Sequence, residues 1–201
     1  MLTDKLIGEV SGGLVTDPDW IKLNQHNNNW KNDAVWSSYH KLGNKQKGTN
    51  GEFYVHRLFE AGGYEVQPPV HTDHDKIVNG LKVEIKTSLA VSEGETIIKD
   101  KYIFNHIAVG KDWDRLLFCC VNPDPEWGNM KIRRNDKLPY KKVHLYYMDK
   151  PDFVEYMNNT EYKDNVFKHQ QSGEKGGNDD FICTNFSKLV ALPFVKPVSQ
   201  W

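Results

Sequence analysis

The stretch Asp75-Lys76-Ile77-Val78-Asn79-Gly80-Leu81-Lys82-Val83-Glu84-Ile85-Lys86-Thr87-Ser88 decides how the chain is read. Asn79-Gly80 lies between two runs of strand-forming residues. A two-residue hairpin turn needs positive φ at both central positions, which Asn and Gly tolerate best. The pair predicts a hairpin that turns at 79–80. On the returning strand Val83 and Ile85 face one way, while Lys82, Glu84, Lys86 and Ser88 face the other. Asp75, at the start of the first strand, is folded back toward Glu84.

Upstream, Thr49-Asn50-Gly51-Glu52 has the T-x-x-E form of a capping box. Tyr54, Val55, Leu58 and Phe59 follow on one helical face, and Gly62-Gly63 ends the helix. Tyr64-Glu65-Val66 begins an extended run that Pro68-Pro69 closes. Downstream, strands are expected at Tyr102–Ile107, Arg115–Val121, Met130–Arg134, Val143–Tyr147 and Asp180–Thr184. The continuous apolar run in Arg115–Val121 marks a central strand buried on both faces. Short helices are expected at Asp33–Leu42 and Pro151–Met157, and a Gly-rich polar loop at Gln170–Asp179. The fold class is therefore mixed α/β, with helices covering a mixed central sheet.

The chain has 201 residues with 26 Lys plus Arg against 27 Asp plus Glu, a formal charge of −1. That balance excludes a uniformly basic DNA-coating protein and a strongly acidic solvating chain. It leaves room for a local basic patch. Hydrophobic residues at 38% and aromatics at 12% suffice for a packed core despite a mean hydropathy of −0.67. No run reaches the roughly 18 apolar residues that would span a bilayer. The polar start MLTDKLIGEVSGG lacks the apolar core of a secretory signal. Cys119, Cys120 and Cys183 are odd in number and form no CxxC pair, against both a disulfide framework and structural zinc. The expectation is a cytoplasmic protein, with residues 1–45 as an N-terminal extension and 46–201 as the main domain.

Two carboxylates and an ammonium, Asp75, Glu84 and Lys86, converge at one sheet edge. Hard oxygen ligands suit Mg²⁺, which is commonly held by one or two carboxylates and retains waters. An adjacent lysine can orient a water or offset charge on a reacting phosphate. Asp75, then nine residues later Glu84-Ile85-Lys86 across a hairpin, with Gly51-Glu52 on the preceding helix, resembles the PD-(D/E)XK nuclease superfamily. Its members include restriction endonucleases, junction resolvases and repair nucleases, and this chain looks most like the type II restriction enzymes. The resemblance covers roughly residues 47–122 and departs at His74, where the family often has proline. It implies a restriction-endonuclease-like fold in 46–201. It also implies divalent metal on Asp75, Glu84 and the Ile85 carbonyl, Lys86 acting on the attacking water, and Glu52 supporting the metal or its water. The implied reaction is Mg²⁺-dependent hydrolysis of phosphodiester bonds in double-stranded DNA, with Mn²⁺ as substitute. A homodimer would cut both strands, and residues 1–45 would serve as dimer surface, as DNA arm, or only as cover for the core.

Alternatives stay open at several residues. Asp73 rivals Asp75 as the acidic ligand, and Glu52 can act as a capping residue alone. The His71-Thr72-Asp73-His74-Asp75 run reads more simply as a polar turn than as a transition-metal site. Asp112 and Asp114 read as turn residues before a strand, and Cys119 and Cys120 as core. Lys45 and Lys47, with Arg133, Arg134, Lys141 and Lys142 in the cationic stretch 131–142, are candidate DNA-backbone contacts. Ser88 is a further candidate contact. The same site could belong to a structure-specific, homing or repair nuclease. A non-catalytic DNA-binding protein of this fold is the reading from another class.

Overall fold

The computed structural model describes residues 1–25, 42–90, 92–93, 96–98, 101–122, 131–133, 143–159, 166–170 and 180–201, with backbone alone at 92–93, 96–98 and 131–133. The chain opens with α1 (Asp4–Gly13) and α2 (Pro18–Asn24). Thr3 caps α1 by accepting the Leu6 N–H at 3.2 Å, and Asp17 caps α2 ahead of a proline at the first helical position. Both helices pack on α3 (Asn44–Ala61) and bring Leu2, Leu14 and Trp20 into the core. Tyr54 Oη donates to the Ile7 carbonyl, and Arg57 pairs with Asp17 and Asp19 at 3.0 and 2.7 Å. The described part of the first 45 residues is thus built onto the core, and position 45/46 falls inside α3.

The expected helix start at Thr49 is corrected. α3 begins at Asn44 with Gly43 as its N-cap, so Thr49 and Glu52 lie in the helix body. The Thr49 hydroxyl donates to the Lys45 carbonyl one turn back, which satisfies it without capping. The buried Asn50 amide donates to Asn24 Oδ1 at 2.9 Å, a tertiary bond that fastens this turn to α2.

The strands are β1 (Val66–Gln67), β2 (Lys76–Val78), β3 (Leu81–Leu89), β4 (Ser92–Glu93), β5 (Thr96–Ile98), β6 (Phe104–Ala108), β7 (Arg115–Val121), β8 (Lys131–Arg133), β9 (Val143–Asp149), β10 (Phe167–His169), β11 (Asp180–Cys183) and β12 (Lys196–Pro197). Helix α4 (Lys150–Asn158) follows β9, and α5 (Phe186–Leu189) follows β11. The main sheet has the order β1-β2-β3-β7-β9-β12 and is mixed: β3 and β7 run parallel, and every other neighbouring pair is antiparallel. Two three-stranded sheets, β10-β11-β6 and β4-β5-β8, accompany it. The hairpin turns where expected, with φ of 47° at Asn79 and 83° at Gly80. Asn79 also bonds Glu65 through its backbone N–H and its side-chain oxygen, which ties the turn to β1.

Register assigns the faces. Lys86 pairs with Phe118 and Phe118 with Tyr146, while Thr87 pairs with Cys119. One face of the main sheet carries Glu84, Lys86 and Ser88. Phe104 of β6 packs there on Phe118 at 4.9 Å between ring centroids, and Phe186 of α5 on Tyr146 at 5.6 Å. The opposite face carries Val83, Ile85 and Thr87 and meets α3. A Cβ at Gly51 would stand 2.7 Å from the Thr87 Cβ, so no larger residue fits there unless backbones separate. Phe59 and Trp201 close the same side, 4.6 Å apart. Both faces of β3 are therefore covered. The charged face read from the alternation is not an open one, since Glu84 is only 3% exposed. β7 is central as expected, with Leu116 through Val121 fully buried.

Candidate active site

The site lies where β2 gives out and β3 continues. β2 pairs with β3 only as far as Lys76 opposite Val83. Asp75 extends the ladder by one bond, donating its N–H to the Val83 carbonyl at 2.9 Å. Its side chain then takes the place of a strand, and Oδ2 accepts the Ile85 N–H at 2.6 Å. In an extended strand the N–H and C=O of one residue point to the same side. The Ile85 carbonyl therefore faces the same edge as the Asp75 carboxylate.

Glu84 enters from the covered face. Its Oε1 accepts from Lys86 Nζ at 2.7 Å and from Lys111 Nζ at 3.2 Å. Its Oε2 is buried and has no hydrogen-bond partner among the described residues. Lys111 is a member of this cluster that the sequence did not point to. It lies in the 109–114 loop between β6 and β7, which is fastened on several sides. Lys150 Nζ donates to the Lys111 carbonyl at 2.6 Å, and Trp113 Nε1 to the Ala108 carbonyl at 2.9 Å. Asp114 Oδ2 accepts the Lys82 N–H at 2.8 Å, so Asp114 is the turn residue expected there. The available signal was register. Arg115 pairs with Val83 and Asp114 bonds Lys82, so once β3 and β7 are known to be parallel neighbours the loop before Arg115 lies at the Lys82 end of β3, and the long Lys111 side chain spans the remaining distance to Glu84.

Glu52 reaches the cluster from α3. Burial and the nearby Asp75 charge raise its pKa above the ordinary 4.5; Glu84 adds to the rise, and Lys76 and Lys86 oppose it. Asp75 is also raised, first by burial and then by Glu84, against the Ile85 N–H, Lys86 and Lys111. Both shifts reflect carboxylate charges close enough to repel, opposed by the ammonium groups of Lys76, Lys86 and Lys111. Because the folded pKa of Glu52 lies above its unfolded value, its contribution to stability is complete below the unfolded pKa and is lost as pH rises through the folded one. Glu52→Gln is therefore expected to raise the melting temperature in EDTA at pH 7, on the order of 1–3 °C. The gain should vanish near pH 4. Thermal scans of both proteins across that range check it, and a lower melting temperature at pH 7 would contradict it.

Four predicted residues, Asp75, Glu84, Lys86 and Glu52, thus come together with the Ile85 backbone. Others do not join them. Asp73 is half exposed and stands 3.8 Å from His71. Ser88 is buried, and its hydroxyl donates to the Leu89 carbonyl and accepts the Ile103 N–H, so it is turned inward instead of toward a ligand. Lys45 is exposed on the first turn of α3, and Lys47 is partly buried with its pKa lowered by that burial. Of the basic stretch only the backbone at Lys131–Arg133 is described; Arg134, Lys141 and Lys142, and the expected helix at Asp33–Leu42 apart from Leu42, lie outside the described residues.

No family model matches the chain, and no curated protein matches it. Among solved structures it is similar to a bacterial homing endonuclease, I-Ssp6803I, at 19% identity. The match covers 57% of this chain and 70% of that one, with a TM-score of 0.36.

Among the described residues, no three His, Cys, Asp or Glu side chains are grouped so as to hold a metal ion. The oxygen donors at the edge are the Asp75 and Glu84 carboxylates and the Ile85 carbonyl. That set suits Mg²⁺, which takes few protein ligands and completes its shell with water and phosphate oxygens. The buried, unpartnered Glu84 Oε2 fits the same assignment, since such an atom is costly unless something accepts its lone pairs. No helix among the described residues is long and apolar enough to cross a membrane.

Proposed function

We propose that this chain is a Mg²⁺-dependent endonuclease that hydrolyses phosphodiester bonds in double-stranded DNA, of the PD-(D/E)XK type and restriction-like in use. One observation carries the reading. Glu84 is buried beside Lys86 at the point where Asp75 caps the edge of β3, and Glu52 faces the same cluster. A buried carboxylate–ammonium pair with further carboxylates around it is a poor device for stability alone. It is a good one for binding a cation and steering a water.

Asp75, Glu84 and the Ile85 carbonyl would hold the metal, with Mn²⁺ as an effective substitute. When bound, the metal supplies polarisation of the phosphodiester and a lowered pKa for its water. The chain's own residues do the rest. Lys86 Nζ orients the attacking water and offsets the charge that grows on the phosphorus centre. Glu52, whose carboxyl retains a proton more readily than a free one, holds a water on the α3 side by hydrogen bonding. Exposed Lys45 would supply charge to the DNA backbone, as would the cations in the sequence of 131–142. One chain carries one site, so a two-fold dimer would cut both strands of a palindromic site.

The test is direct. Purified protein is incubated with a phage genome in Mg²⁺, and the ends of any products are sequenced. Discrete fragments with a common end sequence support the proposal. Cleavage confined to junctions, flaps or mismatches would replace it with a structure-specific nuclease. Binding without cleavage in Mg²⁺ and Mn²⁺ would replace it with a DNA-binding protein of this fold.

A further inference from the structure

Glu84 carries two ammonium groups where one would neutralise it. Lys86 Nζ stands 2.7 Å from Oε1, and Lys111 Nζ 3.2 Å from the same atom. The two lysines differ in setting. Lys86 projects from the covered strand β3, and its side chain is 16% exposed. Lys111 comes from a loop, and its side chain is 35% exposed. The backbone of that loop is held by Lys150 and Trp113, so the Lys111 side chain reaches Glu84 from a fixed base on a long flexible stem of a kind that can take more than one direction. A carboxylate as buried as Glu84 is costly without positive charge beside it, and the two ammonium groups supply that charge. If the same carboxylate binds a divalent cation, the local charge becomes surplus and the more exposed ammonium is the one with somewhere to go.

Building on the function proposed above, we propose that Lys111 is a resident counter-ion. It occupies Glu84 before the divalent cation arrives and passes to a DNA phosphate when the cation takes its place. Lys111 is then a positioning residue that links metal binding to substrate binding. It competes with the metal for Glu84 and adds to DNA affinity only in the metal-loaded protein.

The experiment is a calorimetric titration of Mn²⁺ into the parent, Lys111→Met and Lys111→Arg, followed by DNA binding to each in Ca²⁺ and in EDTA. Lys111→Met is expected to bind Mn²⁺ about three- to tenfold more tightly, as removal of a partly exposed charge pair allows. It should bind DNA more weakly in Ca²⁺ by a similar factor and unchanged in EDTA. Lys111→Arg keeps the charge and should retain the parent's metal affinity, with melting curves confirming that both variants are folded. Unchanged or weaker Mn²⁺ binding by folded Lys111→Met overturns the counter-ion role and leaves the nuclease reading intact. Absence of Mn²⁺ binding by the parent and by both variants overturns both.

Discussion

Lys86→Met is expected to slow DNA cleavage in Mg²⁺ by about 10²- to 10⁴-fold, the range for loss of a group that transfers or orients a proton in the transition state. The substitution keeps the aliphatic stem that lies in the covered face of β3 and removes only the ammonium. That ammonium is 16% exposed at the side-chain level and 2.7 Å from Glu84, so few waters screen it. A charge in such a place stabilises a developing phosphate charge far more than a surface lysine does. Glu84 keeps Lys111 as a partner, so the fold should survive with a modest loss in melting temperature. Single-turnover cleavage of plasmid DNA by the two proteins measures the effect. Cutting at the parental rate would remove Lys86, and with it the proposed chemistry, from the site.

The largest expected loss of stability comes from a ring far from the carboxylates. Phe153 of α4 is fully buried, with ring centroids 5.0 Å from Phe167, 6.0 Å from Phe181 and 6.1 Å from Trp113. It joins α4 to the β10-β11-β6 sheet and to the loop before β7. Phe153→Ala should cost about 3–5 kcal/mol, because the transfer energy and the cavity left behind add together. That is a large fraction of the roughly 5–15 kcal/mol that holds a domain folded. The same helix supplies Lys150, whose ammonium holds the Lys111 carbonyl, so the loop that brings Lys111 to Glu84 depends on this packing. Urea unfolding of the variant should show a lower midpoint with an unchanged slope. A loss under about 1 kcal/mol would mean that the rings repack around the gap.

The hairpin was legible because its signal is local. Asn79-Gly80 fixes the turn by backbone stereochemistry, and alternation assigns the side chains without reference to the rest of the chain. Arg115–Val121 was legible for a similar reason, since six consecutive apolar residues can be covered only in the middle of a sheet. The start of α3 was misplaced because Thr49 has the right residue type for a cap, yet its hydroxyl is satisfied inside the helix and Asn50 is held by Asn24. α1 was obscured by Gly8, Gly12 and Gly13, which weaken its intrinsic helical preference. Contacts of Leu2 and Leu14 with the core outweigh that weakness. Asp17-Pro18 carries a start signal for α2 that no expectation used. Of the site, Asp75, Glu84 and Lys86 could be placed together from the hairpin alone. Lys111 could not, because its position depends on parallel pairing between β3 and β7, and no local pattern reports which strands become neighbours.

The way Asp75 finishes β3 bears on how the protein should be handled. Beyond Val83 no strand among the described residues pairs with β3 on the β2 side, and the Asp75 carboxylate covers the Ile85 N–H there. A bare run of backbone donors and acceptors is a template on which another chain can add a strand. The carboxylate is therefore expected to guard against self-association at that edge. Asp75→Ala, an obvious choice for an inactive protein, should open that template and form oligomers at concentrations where the parent stays dispersed. Asp75→Asn keeps an oxygen for the Ile85 N–H and should remain dispersed while losing metal affinity. Light scattering of the two variants at equal concentration separates them, and it identifies the asparagine form as the inactive protein to carry into complexes with uncut DNA.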